Sequence, residues 1–232
     1  MRAQEKNIKG FSLLEIVVVV AILGIITAVA MPAFSDWRAE RKARTAVVKI
    51  KSAMESINSH VQRGLYSFVQ VHIIPNDNTI TIITKGMKPN TLANKVNNGT
   101  SSWNTTPTTR CDLNDDYWDD VGGEAETVEV RKMEIKDVAS NITADGAICF
   151  AKNPRWYSGN GSFLSGTGDD VAVDERVFVC ARTGGTTRCE VDEGTGVPTD
   201  EDHANLFSVD WTRFGEVTMD KWSPALKDWI LQ

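Results

Sequence analysis

The chain carries three hydrophobic patterns in succession. Residues 16–34, IVVVVAILGIITAVAMPAF, are apolar on every face, and Thr27 is the one hydrogen-bonding side chain among them. Nineteen residues in a helix span about 28 Å, close to a bilayer core of about 30 Å. A core helix of a soluble protein is rarely apolar all round, so this pattern predicts a membrane-spanning helix. From Trp37 the pattern becomes amphipathic: Ala43, Ala46, Val47, Ile50, Ala53, Met54, Ile57 and Val61 recur at three- and four-residue spacing, with Lys42, Lys49, Lys51, Glu55 and Ser59 between them. Gly64 is a helix stop. The two patterns read as one helix from about residue 11 to 63, roughly 80 Å long.

The third pattern is strand chemistry. Residues 65–74 are rich in Val, Ile and aromatics, 75–78 read Pro-Asn-Asp-Asn, a turn, and 79–84 complete a hairpin. Residues 88–110, rich in Asn, Thr, Ser and Gly with Pro89 and Pro107, predict a long surface loop. Further strands are expected at 126–135, 146–151, 176–181 and 206–219, separated by Gly-rich stretches at 159–168 and 184–196. One helix followed by an antiparallel sheet is an α+β architecture. No internal repeat and no boundary within the body is visible.

Charge adds an orientation. The first ten residues hold Arg2, Lys6 and Lys9 against Glu5, a net +2; with −6 for the whole chain, the remainder is −8. Lys6 and Lys9 should stay cytoplasmic, although Arg38, Arg41, Lys42 and Arg44 on the other side weaken that bias. A body this acidic is a poor binder of phosphate backbones, so nucleic acid is not an expected partner. Ala28-Val29-Ala30 has the form of a secretory cleavage site. The stretch is longer than a usual signal core, however, Glu15 stands at its start, and an amphipathic helix continues directly beyond it.

The residues Lys9-Gly10-Phe11-Ser12-Leu13-Leu14-Glu15, followed at once by the apolar run, resemble a type IV prepilin processing site: a short basic leader ending in Gly, then Phe, three residues and a Glu. Gly24 and Pro32 fall where pilin helices commonly carry a Gly and a Pro. The resemblance covers about the first quarter of the chain. It implies a pilin-like fold, cleavage between Gly10 and Phe11 by a prepilin peptidase, and methylation of the new Phe11 amino group. It also implies assembly into a filament by way of the inner-membrane assembly platform. The organisation then becomes a leader at 1–10, a transmembrane and filament-core helix at 11–34, its amphipathic half at 35–64, and a β-rich periplasmic body at 65–232.

Physical reasons support those roles. Gly10 lets the scissile backbone enter a tight protease site. Glu15 is a carboxylate at the edge of an apolar helix, expensive unless paired, and the amino group of Phe11 on a neighbouring subunit is its expected partner in a filament. Such a pair sets axial register. Pro32 cannot donate a backbone hydrogen bond and Gly24 weakens the helix, so both are expected to loosen or kink it. The body also resembles the GspH/FimT group of minor pilins and pseudopilins, through the amphipathic stretch into Arg63-Gly64, the strand pair after it, and the late segment 207–215.

The functional expectation is a minor type IV pilin or a type II secretion pseudopilin, alternatively a tip adhesin that contacts a surface, cargo or DNA. It is bound first to the bacterial inner membrane by a single span and then carried into the filament. Its partners are other pilin or pseudopilin subunits, the peptidase and the membrane.

Cys111, Cys149, Cys180 and Cys189 all follow the apolar segment, and an even number in an exported body is consistent with two disulfides. Three pairings are open. Cys180 and Cys189 flank Thr183-Gly184-Gly185-Thr186, whose reading as a hairpin turn brings them together and leaves Cys111 to Cys149. No cofactor or metal is expected. Asp112-Leu113-Asn114-Asp115-Asp116 begins like a calcium loop, but Tyr117 stands at its sixth position and Gly123 at its twelfth. Gly159-Asn160-Gly161 lacks the third Gly of a nucleotide fingerprint, Leu164 taking its place. His60, His72 and His203 sit in unrelated contexts, no Cys-x-x-Cys or G-x-S-x-G occurs, and Trp211, Trp222 and Trp229 read as core. An enzyme is not expected.

Overall fold

The stripe Ala43, Ala46, Val47, Ile50, Ala53, Met54, Ile57 and Val61 is buried at every position, and the body is built around it. A computed structural model describes residues 12–76, 79–97, 111, 127–152, 158–161, 176–182, 188–192, 195–203, 205–212 and 214–232. The chain divides into two compact units, Met1–Arg38 and Ala39–Gln232. The elements are helix α1 (Leu13–Gln62), strands β1 (Phe68–Asn76) and β2 (Thr79–Met87), helix α2 (Pro89–Asn97), then β3 (Thr127–Lys136), β4 (Val138–Ser140), β5 (Gly146–Ala151), β6 (Ser158–Gly161), β7 (Arg176–Ala181), β8 (Leu206–Trp211), β9 (Val217–Ser223) and β10 (Asp228–Leu231).

The strands form two five-stranded antiparallel sheets rather than the single sheet expected, in the orders β3-β2-β1-β5-β6 and β10-β9-β8-β7-β4. Both present an apolar face to the helix stripe. Val69, Val71, Ile73, Ile80, Ile82, Ile148 and Phe150 come from the first sheet, and Val177, Val179, Phe207, Val209, Val217 and Met219 from the second. The period-2 alternation of these strands puts their odd or even positions on that face. Val69, Val71 and Ile73 are entirely buried there. The architecture is α+β, a helix packed on antiparallel sheets, as in the pilin-like arrangement.

Each sheet is also covered on its far face. Phe68, Met87, Cys111, Ala147 and Cys149 form a second apolar cluster with Leu92 of α2 against it. Ala139, Phe178, Cys180, Cys189, Leu206 and Trp222 form a third, under the segment 188–203. That segment is tied down by two indole donors: Trp222 Nε1 donates to Glu201 O at 2.8 Å and Trp229 Nε1 to Gly196 O at 3.0 Å.

Three local expectations change. The long loop at 88–110 begins with a helix, α2, because Pro89 at its first position needs no donor and has its φ pre-set, and Leu92 gives it an apolar anchor. The run 206–219 is two strands, β8 and β9, joined by a turn in which Thr212 N donates to Glu216 O at 2.9 Å and Gly215 takes φ 81°. Cys189 is not on a strand facing Cys180 across a hairpin; its N–H donates to Ser140 O at 3.0 Å, beside β4, and residues 183–187 lie outside the described residues. Gly64 does close the helix. With φ 75° it places its N–H on Val61 O at 2.9 Å and Leu65 N–H on His60 O at 3.0 Å, the paired bonds of a Schellman stop.

Candidate assembly segment

The unit Met1–Arg38 buries no large side chain among its described residues; it displays them. Leu13 is 82% exposed and Leu14 74%, and the five successive residues Ile16, Val17, Val18, Val19 and Val20 are all about half exposed. At 100° per residue, five positions go round the whole helix, so no polar face remains for water. Each such side chain gains about 1.5–3 kcal/mol on burial. A run of them open on all sides has the character of a membrane-contact or protein-contact surface.

Glu15 lies in the first turn of α1 and is exposed. Its carboxylate suits the positive end of the helix dipole. Above it Ile16 N–H donates to Ser12 O at 3.2 Å. α1 runs without interruption through Gly24 and Pro32. A Cβ at Gly24 would meet nothing within 4 Å, so no contact of the chain with itself requires glycine there. Thr27 Oγ1 donates to Leu23 O at 2.6 Å, which removes the single polar side chain of the run from its surroundings.

The run ends in a group that sequence reasoning passed over. The Phe34 and Trp37 rings lie 5.7 Å apart and the Arg38 guanidinium carbon is 5.8 Å from the Phe34 centroid. Aromatic rings and a cation at the end of an apolar helix are the composition of a membrane–water interface. The signal was present in Phe34-x-x-Trp37-Arg38, at helical spacing. Among the described residues no helix is long and apolar enough to cross a membrane; the side chains of Val29, Ala30, Pro32 and Ala33, inside the apolar run, are outside the description. Gly10 and Phe11 are also outside the described residues.

The remaining candidates are placed as follows. Disulfides join Cys111 to Cys149 and Cys180 to Cys189, each with a Cα–Cα separation of 5.8 Å. Trp211 and Trp222 are buried, and Trp229 packs on Phe178 and Trp222 at 5.3 and 5.5 Å between ring centroids. His60 stacks near Tyr66 (5.9 Å), His72 Nε2 lies 3.2 Å from Asp145 Oδ2, and His203 sits in the segment over the third cluster; the three are not brought together. Gly159 and Gly161 belong to β6. The acidic residues 112–120 lie outside the described residues, and among the described ones no cluster of His, Cys, Asp or Glu could hold a metal.

This geometry defines two parts: an α+β body, and an apolar helical segment with exposed side chains and one carboxylate in its first turn. Residues 6–31 match the prokaryotic N-terminal methylation motif. The chain is similar to type IV pilins: 32% identical over 71 residues to the type IV major pilin protein PilE of Neisseria gonorrhoeae, covering 31% of this chain and 38% of that one. A fimbrial protein of Moraxella nonliquefaciens is 38% identical over 56 residues (24% and 36%), and one of Pseudomonas aeruginosa 36% over 64 (28% and 39%). The chain thus spans little more than a third of the length of these relatives. No solved structure matches it. The chain therefore has a prepilin-type amino terminus on a pilin-like fold, and its likeness is to structural fimbrial subunits rather than to an enzyme.

Proposed function

We propose that the chain is a minor subunit of a type IV pilus or of the pseudopilus of a type II secretion system. The observation that carries this is a helix apolar and exposed around its whole circumference, with Glu15 in its first turn and the methylation motif across residues 6–31. Residues 1–10 are a leader removed by a prepilin peptidase, which cuts between Gly10 and Phe11 and methylates Phe11. Residues 11–34 hold the chain in the inner membrane as a single span, with the body of residues 65–232 in the periplasm, and then pack in the filament core. Residues 35–64 form the amphipathic half of the same helix, a reading supported by the burial of the stripe from Ala43 to Val61. Gly24 and Pro32 supply compliance to the packed helix. The minor-subunit reading is supported by the strand pair directly after Gly64 and by the segment 207–215, which carries β8 and the following turn, both features of GspH/FimT-like bodies.

The mechanism is electrostatic registration. The carboxylate of Glu15 enters the apolar bundle with the α-amino group of Phe11 on an adjacent subunit. The pair forms only at one axial offset, because any other leaves a charge in hydrocarbon. Mass spectrometry of the mature amino terminus tests the reading. A chain that begins at methylated Phe11 supports it; one that retains Met1, or begins beyond Ala30, overturns it.

A further inference from the structure

The edge of the helix's core stripe carries a second feature. Arg41, Lys42, Thr45, Ala46 and Lys49 of α1, with Glu134, Ile135 and Lys136 of β3 and Asp137 after it, line an open groove of about 450 Å³. Its floor is apolar, since Ala46 and Ile135 are buried. Its rim is cationic, with Arg41, Lys42, Lys49 and Lys136 all exposed. Positions 41, 45 and 49 succeed one another nearly one turn apart on the same face, and β3 is the edge strand of its sheet, so the groove opens to the outside. Of its two carboxylates, that of Asp137 is already held by Lys42 Nζ at 3.0 Å. The excess of positive charge stands in a chain whose net charge is −6.

We infer that this groove binds the phosphate of an anionic phospholipid headgroup while the subunit is in the membrane. The inference rests on the membrane reading of the apolar run. Arg41 follows Phe34 by seven residues, so covalent reach alone keeps it within about 25 Å of the end of that run. Phe34, Trp37 and Arg38 already form an interface-type group there. Cations just beyond a span also oppose the inward-positive bias, and an anionic lipid surface attracts basic groups that lie within about a Debye length of it. A groove with an apolar floor and a cationic rim accommodates both parts of a headgroup, the phosphate at the rim and the glycerol carbons below.

The test uses the full chain in detergent, with phosphatidylglycerol or phosphatidylcholine of the same acyl length added and retained lipid counted by native mass spectrometry. The intact chain is expected to retain phosphatidylglycerol roughly tenfold over phosphatidylcholine at low salt. Lys49→Gln with Lys136→Gln is expected to bring that ratio near one. Lys152→Gln with Lys227→Gln, which removes the same charge elsewhere, should leave it unchanged. Equal retention of the two lipids by the intact chain overturns the inference. So does equal loss in both double variants, or displacement of the lipid by an equimolar amount of inorganic phosphate. Self-association lost in Lys49→Gln/Lys136→Gln with the lipid ratio intact assigns the groove to a second copy instead. Circular dichroism checks that each variant is folded. The pilin reading fails elsewhere, at the mature amino terminus, so the two failures are distinguishable.

Discussion

Gly215 and Asn58 meet where the β8–β9 turn reaches the helix. Asn58 Nδ2 donates to Gly215 O at 3.0 Å, and a Cβ built on Gly215 would lie 2.0 Å from that same nitrogen. Gly215 also has φ 81°, where a side chain is strained whatever the space. The turn is thus fastened to α1 by a contact that only glycine permits. Gly215→Ala is expected to cost about 1–3 kcal/mol, lowering Tm by several degrees in urea or thermal melts. Asn58→Ala alone should cost about 1 kcal/mol for the lost hydrogen bond. The double variant should lose less than the sum by about 1 kcal/mol, because removing the amide relieves the clash. Additive losses would show that the two residues do not share this contact.

The two disulfides close loops of different length, 38 and 9 residues apart in sequence. In the chain-entropy view the first removes about 4 kcal/mol of unfolded-state freedom and the second about 2.5 kcal/mol. Cys111→Ser with Cys149→Ser should therefore destabilise more than Cys180→Ser with Cys189→Ser in denaturant melts under oxidising conditions. The Cys111–Cys149 bond also anchors the cluster of Phe68, Met87 and Leu92, which adds to the difference. The reverse order would mean that the fold is held mainly by the contact of Cys189 with β4.

Arg176 and Asp210 face each other across β7 and β8, with Nε 2.6 Å from Oδ1. Arg176 Nε is buried and lacks a well-aligned hydrogen bond, so this is an ion pair held by proximity. Burial pushes the Asp210 carboxyl above its ordinary 3.8; Arg176 and the Ser208 hydroxyl pull it down, and Asp220 adds to the rise. The folded chain therefore holds this proton more tightly than the unfolded one. Its contribution to stability is fully present below the ordinary value and is lost as pH rises through the raised folded value. On going from neutral pH down to about 4, the intact chain should gain stability relative to Asp210→Asn. Urea midpoints of both proteins across that range measure it. A relative loss on acidification would mean that the ion pair, and not burial, dominates.

The helix stripe from Ala43 to Val61 was legible in sequence because a 3.6-residue period and a single burial face make one pattern. The same clarity holds for β1, β2, β5 and β7, whose residues pack on both sides. What was not legible depended on partners distant in the chain. The division into two sheets follows from which strands pair, and no local pattern encodes that. The run 206–219 looked continuous because Val209, Trp211, Val217 and Met219 all face the core, although Gly215 between them carried the turn signal. Cys189 finds Cys180 from an irregular segment that β4 holds in place, a relation set by tertiary contact. Of the assembly segment, the apolar run and Glu15 were evident from composition alone. The Phe34–Trp37–Arg38 group and the groove at β3 needed side-chain positions.

Glu15 carries the last prediction. An exposed carboxylate in the first turn of a helix costs the isolated chain little, since water and the helix dipole both accommodate it. Its cost appears only when that helix is surrounded by hydrocarbon, and there it is offset by a positive partner. Glu15→Ala should accordingly leave the body as stable as before, with the same melting midpoint. It should also leave the proposed cleavage after Gly10 intact, because the carboxylate is five residues beyond Gly10. Filament incorporation should fall by an order of magnitude or more, since a pair buried in a low-dielectric bundle couples by about 3 kcal/mol or more when one member is removed. Glu15→Asp, which keeps the charge and shortens its reach, should recover part of the incorporation. Immunoblots of sheared filament fractions against membrane fractions give the ratio directly. Normal incorporation of Glu15→Ala would leave axial register to packing alone and remove the charge pair from the mechanism.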